Sequence, residues 1–252
     1  MSLPNATNPL LLTAAAAGYL VSRSLKFDAA DASYLSRSIG APTDGTKCTC
    51  SMWLKRTSSS SGRNIWGGIF LQTDDTLRYQ HAGTHYFGST TVISGVTPWR
   101  HLTVSFDTGN ATVSQRIRMW LGGTSVTNAL SPAQSWAVRL NSSTAPNNIG
   151  ANPGWFGDSR DYWDGLMAEI HFVDGQSLTA SSFAELNASS QWRPKEYAGS
   201  YGANGFKLNF SNNSAATAAA LGADTSGNVN NWTPNNFNVA LDSLTDTPTN
   251  PL

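Results

Sequence analysis

The stretch Asp164–Phe183, DGLMAEIHFVDGQSLTASSF, decides the fold. Its centre, Leu166 to Phe172, alternates side chains as a half-buried strand does, and Asp174-Gly175 then turns the chain toward a short helix beginning near Thr179. It reads as the closing strand of a β-sandwich whose sheets come from the residues before it. Ser24 to Asp28 and Ala32 to Ser36 are short strands about a turn. Cys48 to Leu54 places Cys48, Cys50, Met52 and Leu54 on one face and Thr49, Ser51 and Trp53 on the other. Ile65 to Leu71 and Leu77 to Gln80 flank Thr73-Asp74-Asp75 as a hairpin. Pro98 to Asp107 carries Leu102, Val104 and Phe106 on one face, and Arg116 to Leu121 ends at the turn signal Gly122-Gly123. Phe206 to Phe210 alternates once more, Ala215 to Leu221 suggests a helical turn or two, and Asp242 to Leu252 reads as an exposed, poorly ordered tail. Short strands at intervals of about 8–12 residues with one late helix signal predict an all-β, antiparallel sandwich or jelly roll with a short helix and an irregular C-terminal extension.

Composition narrows the partners. Of 252 residues only 13% are charged, about half the usual ~25%, and the formal net charge is zero. There is no electrostatic footprint for nucleic acid and no polybasic membrane patch. A surface built from hydroxyls and amides suits neutral, polyhydroxylated ligands. Cys48 and Cys50 lie two apart on one strand face, about 6.6–6.8 Å by strand rise, which favours two buried thiols over a bridge. The apolar run Leu10 to Gly18 is too short to span a membrane, and Pro4 and Pro9 precede it without a basic residue before Arg23. Residues 1–22 therefore read as an arm outside the sandwich, with a cleaved signal as the alternative. The expected division is an arm at 1–22, a jelly roll at 23–190, an extension packing on it at 191–240 and a tail at 241–252.

Several of these strands together carry a resemblance. Ser24-Leu25-Lys26-Phe27, Met52-Trp53-Leu54-Lys55-Arg56, Trp99-Arg100-His101-Leu102-Thr103-Val104 and Asp164–Phe183 resemble, in order and spacing, the concanavalin-A-like, laminin-G-type jelly roll over residues 22 to 190. The stretch Trp192 to Phe237 is similar to segments that follow such jelly rolls in tailed-bacteriophage virion proteins. The resemblance implies a structural virion protein on the particle surface, as a tail-fibre, tail-associated or capsid-decorating subunit. Residues 1–22 would then attach it to other virion proteins, and multivalent display would favour a homo-oligomer. Host adhesion through a surface glycan is one implied role; a purely structural decoration or assembly role is the other.

Catalysis finds less support. Retaining glycosidases need two carboxyl groups about 5–5.5 Å apart, and Glu169, Glu185 and Glu196 each lack a second acid two or four residues away on a strand. A glycan-degrading enzyme is therefore a remote alternative. His81 and His85 are expected in a surface loop, and His101 and His171 as hydrogen-bonded structural histidines. For glycan contact the expected residues are Trp155, Phe156, Asp158, Arg160, Tyr162 and Trp163, flat aromatic faces beside polar groups. The alternative is that these rings pack over the open end of the sandwich or into an interface. Trp53, Trp99 and Trp120 are expected in the core. Asp224, Ser226, Asn228 and Asn230, spaced around Gly227, form a candidate calcium loop, or else an ordinary Asx-rich turn.

Overall fold

The computed structural model describes residues 18–58, 63–81, 84–93, 98–126, 132–144, 147–152 and 161–251. In chain order the first strands are β1 (Ser24–Phe27), β2 (Tyr34–Arg37), β3 (Lys47–Arg56), β4 (Arg63–Trp66), β5 (Ile69–Leu71), β6 (Thr76–His81) and β7 (Thr84–Val92). They are followed by β8 (Arg100–Asp107), β9 (Ile117–Leu121), β10 (Thr124–Ser125), β11 (Asn147–Ile149) and β12 (Gly165–Asp174). The remainder are β13 (Ala184–Leu186), β14 (Trp192–Pro194), β15 (Phe206–Leu208), β16 (Thr233–Asn235) and β17 (Ser243–Leu244). Between the last two lies α1 (Val239–Asp242), capped by the Asn238 side chain, which accepts from the Ala240 N–H.

Two antiparallel sheets face each other, as predicted for a sandwich. One runs β10-β9-β8-β3-β12-β1-β17, with β15 also paired to β12; the other runs β16-β2-β11-β4-β5-β6-β7. Between them Cys48, Cys50, Met52, Leu54, Leu102, Val104 and Phe106 of the first sheet meet Leu35, Ile65, Ile69, Leu71, Leu77 and Tyr79 of the second. Each such large buried side chain contributes on the order of 2 kcal/mol. Both thiols are free and buried, and Cys50 Sγ donates to the Val104 carbonyl. Burial pushes the Cys50 thiol up to about 12 and also raises the Cys48 thiol well above its ordinary value.

Strand β12 departs from simple alternation. Strict alternation over Leu166 to Phe172 would put Leu166, Ala168, Ile170 and Phe172 on one face. Instead Met167, Ile170 and Phe172 face the core, whereas Leu166 and Ala168 face outward. A β-bulge shifts the pairing with β3 between Ala168 (opposite Trp53) and His171 (opposite Ser51), and Glu169 sits in it at φ +47°. The extra residue reverses the phase. The bulge also marks where β12 changes its other neighbour, from β1 at Gly165–Met167 to β15 at Ile170–Phe172. At the start of the strand a Cβ on Gly165 would come within 2.4 Å of the Lys55 carbonyl oxygen, so this close approach requires glycine.

The outer face of the first sheet is covered as well, which is why β3 and β12 are buried on both sides. Ala180–Ser182 forms a single 3-10 turn rather than an α-helix, and the β13–β14 hairpin and the chain to Tyr201 lie over the sheet. Several expectations change here. Ile65 to Leu71 is two strands, broken at Gly67-Gly68. Ala215 to Leu221 is a run of turns. His81 and His85 lie in the strands of the β6–β7 hairpin rather than in a loop. The segment expected as an exposed tail is packed: Asp242, Ser243 and Thr247 are buried and β17 pairs with β1. Its polar letters mislead because they are satisfied within the protein, Ser24 Oγ donating to the Asp246 carbonyl and Asp246 pairing with Lys55. Of residues 1–22, Val21 is buried and its N–H donates to Thr249 Oγ1, so this end of the arm belongs to the body of the fold.

Candidate functional site

Beneath the covering layer lies a buried polar network centred on the bulge. The left-handed backbone at Glu169 points its carboxylate to the outer face, beside His171. Tyr19 OH donates to Glu169 Oε2 at 2.7 Å and accepts from Lys207 Nζ at 2.6 Å. Lys207 Nζ lies 3.7 Å and His171 Nε2 3.4 Å from the same carboxylate oxygen, and His171 Nδ1 meets Tyr201 OH at 2.8 Å. Burial alone would raise the Glu169 carboxyl; the hydrogen bond and charge of His171, then Lys207, then the Tyr19 hydrogen bond hold it below its ordinary value. Burial, with the Glu169 charge, pushes both tyrosine hydroxyls upward. Glu169 and His171, an acid and a base two apart on β12, are thus turned toward each other and their neighbours. Their effect is to clamp Tyr19 to the sheet.

A second constellation opens to solvent. Trp53 and Trp99 from β3 and the approach to β8, with Trp192 from β14, line a cleft of about 190 Å³ on the outer face. Pro98, Pro248 and Pro251 wall it; lacking N–H groups, they bring it no backbone donors. Gln191 and Arg193 form the polar rim. The indoles are held in orientation. Trp192 Nε1–H donates to His101 Nδ1 at 3.0 Å, and Trp99 Nε1–H donates to Asp246 Oδ1 at 2.9 Å. The His101 ring stacks on Trp53 at 5.0 Å. Burial, reinforced by His171, drives His101 down to about 3, so the ring is neutral. With Nδ1 accepting from Trp192, Nε2 carries the proton and donates to Ser51 Oγ at 2.7 Å. Beside it, a cleft of about 340 Å³ is lined by Tyr19, Leu20, Glu185, Asn187, Arg193 and Thr249, among others.

The residues anticipated for ligand contact fare differently. Trp155, Phe156, Asp158 and Arg160 lie outside the described residues. Tyr162 is half-buried and bridges to Ala151, its ring 6.2 Å from that of Tyr34. Trp163 is in the core, 1% exposed, its indole N–H buried without a hydrogen-bond partner. It follows the packing alternative, since its N–H donates at the backbone to Gly150 and carries the ring inward. Trp120, expected in the core, is partly exposed with the Arg118 guanidinium 5.2 Å above its ring. Gln191, Trp192 and Arg193 are site residues that no sequence pattern singles out. A lone tryptophan between two exposed polar residues, outside any alternating run, was the available signal.

The Asp224 loop does not fit a cation. Asp224 Oδ1 already accepts from the backbone N–H groups of Lys207 and Ser226, and Oδ2 from Ser226 Oγ and the Asn230 N–H, at 2.8–2.9 Å. Asn228 and Asn230 direct their amide N–H groups at the carbonyls of Gly202, Ala203 and Gly205, and Asn230 Oδ1 accepts from Arg37. The loop is an Asx turn pinning β15 to its surroundings. Among the described residues no group of three or more His, Cys, Asp or Glu side chains is placed to hold a metal.

No protein-family model matches the chain, and no curated protein matches it. Among solved structures, it is similar to the native heptameric SAP-like pentraxin from Limulus polyphemus, at 13% identity and a TM-score of 0.47, over 65% of this chain and 80% of that one. At this level of similarity the sandwich class rests on the strand pairing described above.

Proposed function

We propose that this chain is a non-catalytic recognition protein that binds a glycan, displayed on the surface of a tailed-phage particle. The observation that carries glycan recognition is the cleft in which half-exposed Trp192 stands beside Trp53 and Trp99, both buried as expected, with a Gln191–Arg193 rim. Flat apolar faces stack on sugar rings while the rim hydrogen-bonds hydroxyls, and rings fixed beforehand lose little freedom on binding. A chain poor in charge and rich in hydroxyls and amides supports the same ligand class. The particle comes from the sequence resemblance, and attachment to other virion proteins is assigned to residues 1–22, whose end at Tyr19 is clamped by Glu169 and Lys207. A symmetric homo-oligomer would multiply weak glycan contacts. The reading calls for no ion at Asp224, no nucleic acid and no membrane insertion.

Purified protein on a glycan array tests it, with Trp192→Ala as the control. The expected result is binding to host-surface polysaccharide that the variant loses while circular dichroism shows it still folded at the assay temperature, some loss of thermal stability being expected because Trp192 also bonds buried His101. If the parent binds no glycan, the purely structural decoration or assembly role, which the firmly rooted arm favours, takes its place.

A further inference from the structure

Among the described residues lining the tryptophan cleft, Arg193 is the one that carries a charge. We infer that the cleft takes a single acidic sugar residue, its ring on Trp192 and its carboxylate on Arg193. This rests on the glycan-recognition reading and narrows the ligand from glycans in general to those bearing a carboxylate.

Charge complementarity gives the first argument. Arg193 Nη2 donates to Gln191 Oε1 at 3.1 Å, which holds the guanidinium at the rim. A planar guanidinium matches a carboxylate with two parallel hydrogen bonds. Gln191 Oε1 also accepts from Asn187 Nδ2 at 3.2 Å, which fixes the side chain at the rim and engages its oxygen rather than its amide N–H₂. Asp246, which accepts from the Trp99 indole, is also bound to Lys55, and its charge is matched there. The adjoining cleft has Glu185 opposite Arg193, which does not complement a second acid. The acidic group is therefore placed on the Trp192 side.

Size gives the second argument. About 190 Å³ lies below the 300–1,000 Å³ typical of drug-sized ligands and accommodates one ring. A proline-rich peptide would also favour aromatic walls, yet it needs a groove running several residues at about 3.1 Å each.

The test is an array of uronate- and sialate-bearing oligosaccharides, each beside its carboxyl-reduced counterpart, with full-length protein and with Arg193→Gln. Expected is at least tenfold tighter binding of the acidic member of each pair, a preference that 0.5 M salt weakens and Arg193→Gln abolishes while its thermal transition stays unchanged. Equal binding within the pairs would overturn the acidic assignment and leave glycan recognition standing. Absence of binding to any glycan, acidic or neutral, would remove both. Displacement of bound glycan by a polyproline peptide at lower concentration would reassign the cleft to peptide.

Discussion

At the scale of single residues, Glu169 concentrates most of the risk in this fold. Its φ of +47° costs on the order of 1–2 kcal/mol for a residue with a Cβ, and its charge is buried. Both are tolerated because Tyr19, Lys207 and His171 surround the carboxylate. Glu169→Ala leaves the Lys207 charge and the Tyr19 hydroxyl without their acceptor, and the expected loss is about 3 kcal/mol, read from urea denaturation. Tyr19→Phe in the same background should add less than it does alone, because the two share one network. His101 sets a pH dependence. Its folded value of about 3 lies below the ordinary 6.5, so between those limits the unfolded chain takes up a proton that the folded chain refuses. Stability is therefore full above pH 6.5 and falls as pH drops through this window, at up to about 1.4 kcal/mol per unit. Glu169, also held low, adds loss in the same direction below its ordinary range. Urea midpoints at pH 7, 5.5 and 4.5 should decline, and His101→Gln should flatten that slope by close to one proton.

At the scale of elements, β12 shows how one inserted residue changes the meaning of a pattern. The letters from Leu166 to Phe172 announce a strand, and a strand is there; which side chains face the core is set by the bulge, and the bulge depends on partners far away in the chain. The C-terminal segment shows the converse. Thr245 to Leu252 carries little that is apolar, yet β17 extends the first sheet, Asp246 engages Lys55 and the Trp99 indole, and Thr249 holds Val21. Removing residues 243–252 strips β1 of a neighbour and takes the Asp246 carboxylate away from half-buried Lys55 and from the Trp99 indole. The expected cost is at least about 3 kcal/mol, seen as a fall of roughly 6–12 °C in thermal transition. A loss of under about 2 °C would show that the segment only rests on the surface.

At the scale of the whole molecule, the N-terminal deletions separate anchoring from folding. Removing residues 1–18 should leave the thermal transition nearly unchanged and abolish incorporation into particles, whereas removing 1–22 takes away Tyr19 and Val21 and should lower the transition by several degrees. A chelator should leave the melting of the parent protein unchanged, because the Asp224 oxygens are already occupied by protein donors. A chelator-induced drop, reversed by calcium, would restore the ion.

Sandwich class, the positions of β3, β8, β9, β12 and β15, and the buried free thiols were all legible in the sequence. These depend on period-two patterning and local turn signals, which a single chain segment carries within itself. The site was not legible in that way. Trp53, Trp99 and Trp192 stand far apart in the sequence and become one cleft only because β3 and β8 are neighbours and the β13–β14 hairpin folds back over them. Trp163 and the Asp224 loop looked ready for ligands because side-chain chemistry alone does not reveal that a ring is turned inward or that every carboxylate lone pair is already claimed. Composition and period determined that there would be two sheets; tertiary packing decided which polar and aromatic groups were left facing water.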